Sequence, residues 1–256
     1  MSANVQNDPE FDDAIPKPSS GRRFTLVRLL VGLGIIGLLI ALLLPATRSA
    51  GPAARRAQCL NNLRNIALAL HSYEQAHNAL PPSYTVDVQG RPLHSWRTLI
   101  LPFLEQESLY QTIDLSKPWN DSANAKALET GVSIFRCPAA VGPKNTTTYL
   151  AIASPNGCLN LNEPRRLAEI TDAHASTLMI IEAGDENAIP WMAHADADES
   201  LVMSLGPATK LHHAGGMNAC FVDGAVRFLK ASTPALVRQA LMSISGNDNK
   251  DVNEFY

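Results

Sequence analysis

The sequence carries no large excess of charge of either sign. A formal net charge of −3 leaves it without the basic field that gathers nucleic acid, so nucleic acid is not an expected partner. Aromatic residues are sparse, whereas prolines and runs of Asn, Ser and Thr are frequent after Leu80, which points to a loop-rich domain rather than a helical bundle. Also missing are the G-x-S-x-G elbow, the phosphate-cradling glycine loop, the dinucleotide fingerprint and the H-E-x-x-H pair. His71 and His77 fall on a helical stretch where packing or surface roles are commoner than ligation. No catalytic residue, cofactor-binding residue or metal ligand is assigned, and the protein is not expected to be an enzyme.

Cysteine is scarce, and its spacing excludes a C-x-x-C zinc or redox pair. Cys59, Cys137, Cys158 and Cys220 lie far apart in the chain. In an oxidising compartment they allow one or two disulfides among three connectivities; in a reducing one they serve as small apolar core residues.

One long hydrophobic run is present. From Leu29 to Leu44 the chain is apolar throughout, and with Phe24 to Val27 it reaches the length of a membrane-spanning helix, interrupted by Arg28. An arginine costs about 2.5–3.5 kcal/mol at the bilayer centre, while each Leu, Ile or Val returns about 0.3–0.6 kcal/mol, and twelve such residues follow it. Arg28 also lies near one end of the segment, where its stem can carry the guanidinium to the headgroups. The polar stretch before it, ending in Arg22 and Arg23, reads as a disordered cytoplasmic tail. Membrane lipid is therefore an expected partner.

The stretches "FTLVRLLVGLGIIGLLIALLLPA", "ARRAQCLNNLRNIALALHSYEQAHNALPPS", "HSWRTLILPFLEQESLYQTIDLSKPWN", "FRCP", "TTYL" and "HAGGMNACFVDGAVRFL" together resemble a bacterial family. It is the family of prepilin-type processing-associated H-x9-D-G proteins, a domain of unknown function related to type IV pilins and type II secretion pseudopilins. His213, Asp223 and Gly224 match its C-terminal motif. The start of the chain departs from the pattern: Gly21 is separated from Phe24 by two arginines, and Arg28 stands where the family tends to carry Glu. The resemblance implies that the glutamate neutralises the amine freed by leader cleavage. Without cleavage that charge pair loses its purpose, so the expectation is a permanent single-pass anchor. Other pilin-like or secretion-system subunits are the implied protein partners, and the implied location is the bacterial cytoplasmic membrane, with the N-terminus inside.

Beyond Gly51–Pro52, which break the helix or start a new one, Leu60, Leu63, Ala67, Leu70 and Tyr73 recur at helical spacing opposite Arg56, Asn61, Arg64 and Glu74. This helix is expected to lie on the domain's own sheet and to end at Pro81–Pro82. A short amphipathic helix carrying Leu104, Leu109 and Ile113 should follow Pro102. "VSIFRCP", "TTTYLAIA" and "STLMIIEAG" read as strands, the last buried on both faces. Asp223-Gly224 predicts a two-residue hairpin with Ala219, Phe221, Val226 and Phe228 together on the helix-facing side. Such a hairpin holds His212 and His213 at the opposite end from Asp223, giving Asp223 a turn role and His213 a loop-anchoring one. Acidic "EAGDENAIPWMAHADADES" offers oxygen ligands to calcium but lacks the spacing and the glycine of a calcium loop.

The expected fold is α+β and pilin-like: an N-terminal transmembrane helix continuing into an amphipathic helix packed on an antiparallel sheet. Its expected parts are a tail (1–23), a membrane helix (24–45), an amphipathic helix (46–80), an extracytoplasmic domain (81–245) and a C-terminal tail (246–256). The function this implies is that of a non-enzymatic envelope protein with a structural or interaction role. The alternative is a membrane-tethered ligand-binding or hydrolytic domain using the loops between Glu182 and His213.

Overall fold

The computed structural model describes residues 21–246, with side chains described throughout except at 21–25 and 39–50. In chain order the elements are α1 (Gly21–His77), β1 (Tyr84–Val86), β2 (Pro92–Ser95), α2 (Trp96–Leu99), α3 (Glu107–Tyr110) and α4 (Ala125–Glu129), then β3 (Thr146–Thr147), β4 (Tyr149–Ala151), β5 (Leu178–Glu182) and β6 (Ile189–Pro190), followed by α5 (Glu199–Ser204), β7 (Gly216–Phe221), β8 (Val226–Lys230) and α6 (Ala235–Met242). Two compact units divide between Gly51 and Pro52.

In the first unit, the side chains of 26–38 line a helix, and nine large aliphatic ones from Leu26 to Leu38 are each more than half exposed. The rest of the expected 24–45 membrane segment lies outside the described side chains. Among the described residues no helix is long and apolar enough to cross a membrane. Both expected tails lie almost entirely outside the described residues.

In the second unit the fold is α+β, with a four-stranded antiparallel sheet in the order β4-β5-β7-β8. On one side of it Cys59, Leu63, Ile66 and Leu70 of α1 join Trp96, Phe135, Trp191 and Ile180 in a buried core. On the other, Leu178, Ile181, Ala219 and Phe221 meet Val202 and Leu205 around α5 and Leu241 of α6. A sheet covered on both faces needs apolar residues at successive positions, and β5 is buried along its whole length. Helix α1 ends at His77 with Asn78 in the left-handed region (φ 59°), a common helix stop, three residues before the proline pair.

The hairpin differs from the expected one. Only Gly224, at φ 79°, takes positive φ; the turn is centred on Val222 and Asp223, with the Gly224 amide donating to Phe221 O (2.9 Å) and the Phe221 amide to Ala225 O (3.0 Å). Such a turn with an added left-handed glycine shifts the register by one residue, so the residues of β7 change faces while Val226 and Phe228 of β8 keep the expected one. Cys220 pairs with Val226 and Asn218 with Phe228, and the α1 side of the sheet receives Cys220 and Val226. Ala219 and Phe221 face α5 and α6.

Two further expectations need correction. "VSIFRCP" forms a 3-10 turn over Ser133–Phe135 rather than a strand: its apolar content serves burial, with Phe135 stacked on Trp191 at 5.9 Å. The helix expected at 104–113 is two single turns, Leu101–Leu104 and α3, separated by Glu105 in the left-handed region.

Candidate functional site: a buried cysteine, carboxylate and histidine centre

Four segments far apart in the chain bring one polar side chain each to a single point. Cys59 comes from the buried stripe of α1, and Cys137 from the loop after the Ser133–Phe135 turn. Glu182 closes β5, and His213 precedes β7. One donor atom from each, two Sγ, a carboxylate oxygen and an imidazole nitrogen, lie within 4.8 Å of one another, and all four residues are buried. Cys59 Sγ donates to Glu182 Oε2 at 3.0 Å. His213 Nε2 stands 3.3 Å from Glu182 Oε1 and 3.8 Å from Cys137 Sγ.

A ring of further groups fixes these atoms. Tyr149 OH donates to Cys59 Sγ at 3.1 Å, and Asn218 Nδ2 reaches both that sulfur (3.2 Å) and Glu182 Oε2 (2.9 Å). The Ala139 amide donates to Cys137 Sγ at 3.4 Å. His212 lies with Nδ1 3.3 Å from Glu182 Oε1 and Nε2 3.0 Å from Asp185 Oδ1. Glu182 Oε1 is at ion-pair distance from both histidines yet aligned for a hydrogen bond with neither; it is buried without a hydrogen-bond partner.

The electrostatics follow from this packing. The closeness of the two thiols splits them: Cys137 is pulled down to about 6, while Cys59 is held above the ordinary thiol range by Cys137, by burial and by Glu182. Burial works against ionisation of Glu182, but the neighbouring imidazoles of His212 and His213 and the two cysteines outweigh it and hold the carboxyl below the usual range. For His212 and His213 burial favours the neutral ring. The proximity of His212 to Glu182 and Asp185, and of His213 to Cys137 and Glu182, outweighs this and raises both to about 9.

His213 enters the centre, but Asp223 and Gly224 do not. Asp223 sits in the turn at the far end of β7, accepting from the Ala225 amide and from Arg227. All four cysteines are free thiols. Cys158 and Cys220 are buried, and neither belongs to the four-residue centre. Gly21 opens α1 and Arg28 lies within it, while the Phe24 side chain lies outside the described residues. The acidic segment is divided among separate tasks. Asp185 meets His212, Asp196 pairs with Arg97, and Asp198 caps α5 through the Leu201 amide. Glu182 alone of these acids enters the donor cluster.

Sequence reasoning missed Cys59, Cys137 and Glu182 as a group because it sought ligands at short spacing. One available signal was a carboxylate ending a wholly apolar strand, "LMIIE", since a charge in such a place needs partners. No curated protein and no solved structure matches the chain. Residues 48–153 match the model of a family described as a protein of unknown function (DUF1559), a similarity that takes in Cys59, Cys137 and Tyr149.

Proposed function

We propose that the protein is a non-enzymatic, pilin-like component of the bacterial envelope, held in the cytoplasmic membrane by the 24–45 segment as a permanent single-pass anchor. The N-terminus is inside and the domain beyond Pro52 is extracytoplasmic. The observation that carries this reading is the row of nine exposed aliphatic side chains from Leu26 to Leu38. Such surface costs about 25 cal/mol per Å² in water, and lipid or the apolar helices of similar subunits would cover it. Support also comes from the second unit, where the amphipathic stretch of α1 lies on an antiparallel sheet, as the resemblance to pseudopilins implies. A hydrolytic domain built on Cys137 and His213 is less well supported, because a nucleophilic sulfur needs an open approach and Cys137 is fully buried.

Fractionation of cells expressing the full chain, with an alkaline carbonate wash, tests the anchor: the protein should stay with the membrane pellet and start upstream of Phe24. Recovery in the soluble cytosolic fraction, or a mature chain beginning at a methylated Phe24, would overturn it.

A further inference from the structure

We propose that Cys59, Cys137, Glu182 and His213 form a closed, four-coordinate site for a zinc ion that ties α1 to the sheet. Size, donor chemistry and an unsatisfied atom argue for it independently. With zinc bonds of about 2.3 Å to sulfur and about 2.0–2.2 Å to nitrogen or oxygen, the edges of a tetrahedral donor set measure roughly 3.3–3.8 Å. The distances here are 3.0 Å from Cys59 Sγ to one Glu182 oxygen (Oε2), 3.3 Å from His213 Nε2 to the other (Oε1), of which the ion would take one, and 3.8 Å from His213 Nε2 to Cys137 Sγ. Every donor pair falls within 4.8 Å. The set therefore closes on a zinc ion if its widest pairs draw in by at most about 1 Å.

Two sulfurs with one imidazole and one carboxylate suit a borderline-soft ion with tetrahedral preference; calcium and magnesium take oxygen ligands. Glu182 Oε1 is buried without a hydrogen-bond partner, 3.3 Å from the His213 Nε2 of the same cluster. A disulfide between the two cysteines would explain neither that carboxylate nor the adjacent imidazole. The surrounding groups act as orienting partners of metal ligands do: Tyr149 and Asn218 donate to Cys59 Sγ, Asn218 to Glu182, and the Ala139 amide to Cys137 Sγ. Four protein donors leave no open position, which makes the ion structural rather than catalytic. On binding, two sulfur–zinc bonds form and any protons on the two sulfurs and on His213 Nε2 pass to solvent, with no change of oxidation state.

The test uses the full chain, purified in detergent without chelators and under thiol-protecting conditions. Elemental analysis should find one zinc per chain. Exchange with Co²⁺ should give the sulfur-to-cobalt charge-transfer and ligand-field bands of a tetrahedral thiolate site. Cys59→Ser and His213→Ala should lose the zinc and change or abolish the cobalt bands, while Cys158→Ala, altering a cysteine outside the cluster, should keep both. The cobalt spectrum of the unaltered protein needs no variant, so poor folding of a substituted chain leaves the test intact. Absence of zinc and of cobalt bands from folded protein supplied with either ion would overturn the proposal. So would zinc retained in Cys59→Ser, or a Cys59–Cys137 disulfide in protein alkylated at lysis.

Discussion

The most demanding test of the packing concerns a buried ion pair beside the centre. Arg97 and Asp196 are joined at 2.5 Å with side chains 0% and 1% exposed. Asp196 also accepts from Trp96 Nε1 (3.1 Å), the Ala151 amide (2.8 Å) and Ser83 Oγ (3.0 Å), so one carboxylate fastens α2 and the segment before β1 to strand β4. The guanidinium binds Tyr149 O (2.9 Å), which aligns the residue whose hydroxyl touches Cys59. Asp196→Ala strands a buried cation and three neutral donors, and breaking such a pair costs about 3–5 kcal/mol. For a domain of this size that corresponds to a melting temperature lower by roughly 6–20 °C. Thermal unfolding followed by fluorescence of Trp96 and Trp191, both buried in the same core, gives the readout. Arg97→Met supplies an internal check through pH. Burial pushes the Asp196 carboxyl above the ordinary aspartate range, and Arg97 is the strongest influence against it. Without Arg97 the folded-state value rises further. A raised carboxyl favours folding below its unfolded value and loses that contribution as pH climbs through the folded one. Arg97→Met should therefore be most damaging near neutrality and partly recover in mild acid. A loss under about 1 kcal/mol for Asp196→Ala, or a pH-independent deficit in Arg97→Met, would refute the reasoning.

The α1 stripe makes a sharper claim about register: Leu63→Ala, at a fully buried site, should cost about 2–5 kcal/mol, while Leu68→Ala, 66% exposed on the same helix, should change stability by less than about 0.5 kcal/mol. Equal effects in denaturant titrations would mean the helix is rotated. A methyl group at Gly216 would overlap the Leu229 carbonyl and press on the Phe228 ring, so Gly216→Ala should destabilise by about 1–3 kcal/mol and speed amide exchange along β7 and β8. In chelator-treated protein, His212 and His213, raised to about 9, contribute stability that is complete below about 6.5 and lost as pH rises toward 9. Cys137, lowered to about 6 from 9.0, acts in the opposite sense over that window. Two imidazoles against one thiol leave a net decline, so the unfolding midpoint should fall between pH 6.5 and 9, and a rising midpoint would contradict the assigned contacts.

Much of the second unit was legible because burial writes itself as periodicity. The α1 stripe through Leu63, Ala67 and Leu70, and the unbroken apolar run of β5, carry their environment in their spacing. The misreadings have local causes. In "CFVDGAV" the Asp-Gly pair announces a turn without fixing its length, and one extra left-handed residue at Gly224 moved the side chains of β7 to the opposite face while those of β8 kept theirs. In "VSIFRCP" a β-branched and aromatic composition met the needs of a core turn, because propensity for strands is largely propensity for burial.

The centre was harder to read for a topological reason. Its donors stand at positions 59, 137, 182 and 213, and no local pattern links them; only the docking of α1 on the central strands does. Yet four of the six segments that carry the family resemblance deliver a group to it. "ARRAQC" supplies Cys59, "FRCP" Cys137, "TTYL" Tyr149, and "HAGGMNACF" both His213 and Asn218. The glycines of that last segment belong to the same design: Gly215 takes φ 84°, and Gly216 lets β7 lie against the Leu229 carbonyl with no room for a side chain. Asn218 is thereby placed two residues along the strand, facing α1, where its amide reaches both Cys59 and Glu182. Asp223 and Gly224 then act at a distance. By closing the hairpin with a one-residue register shift they turn Asn218, rather than Met217 or Ala219, toward the sulfur of Cys59. In this chain the spacing from His213 to Asp223-Gly224 is thus the length of β7, with the imidazole of the centre before its start and the turn that sets its register at its end.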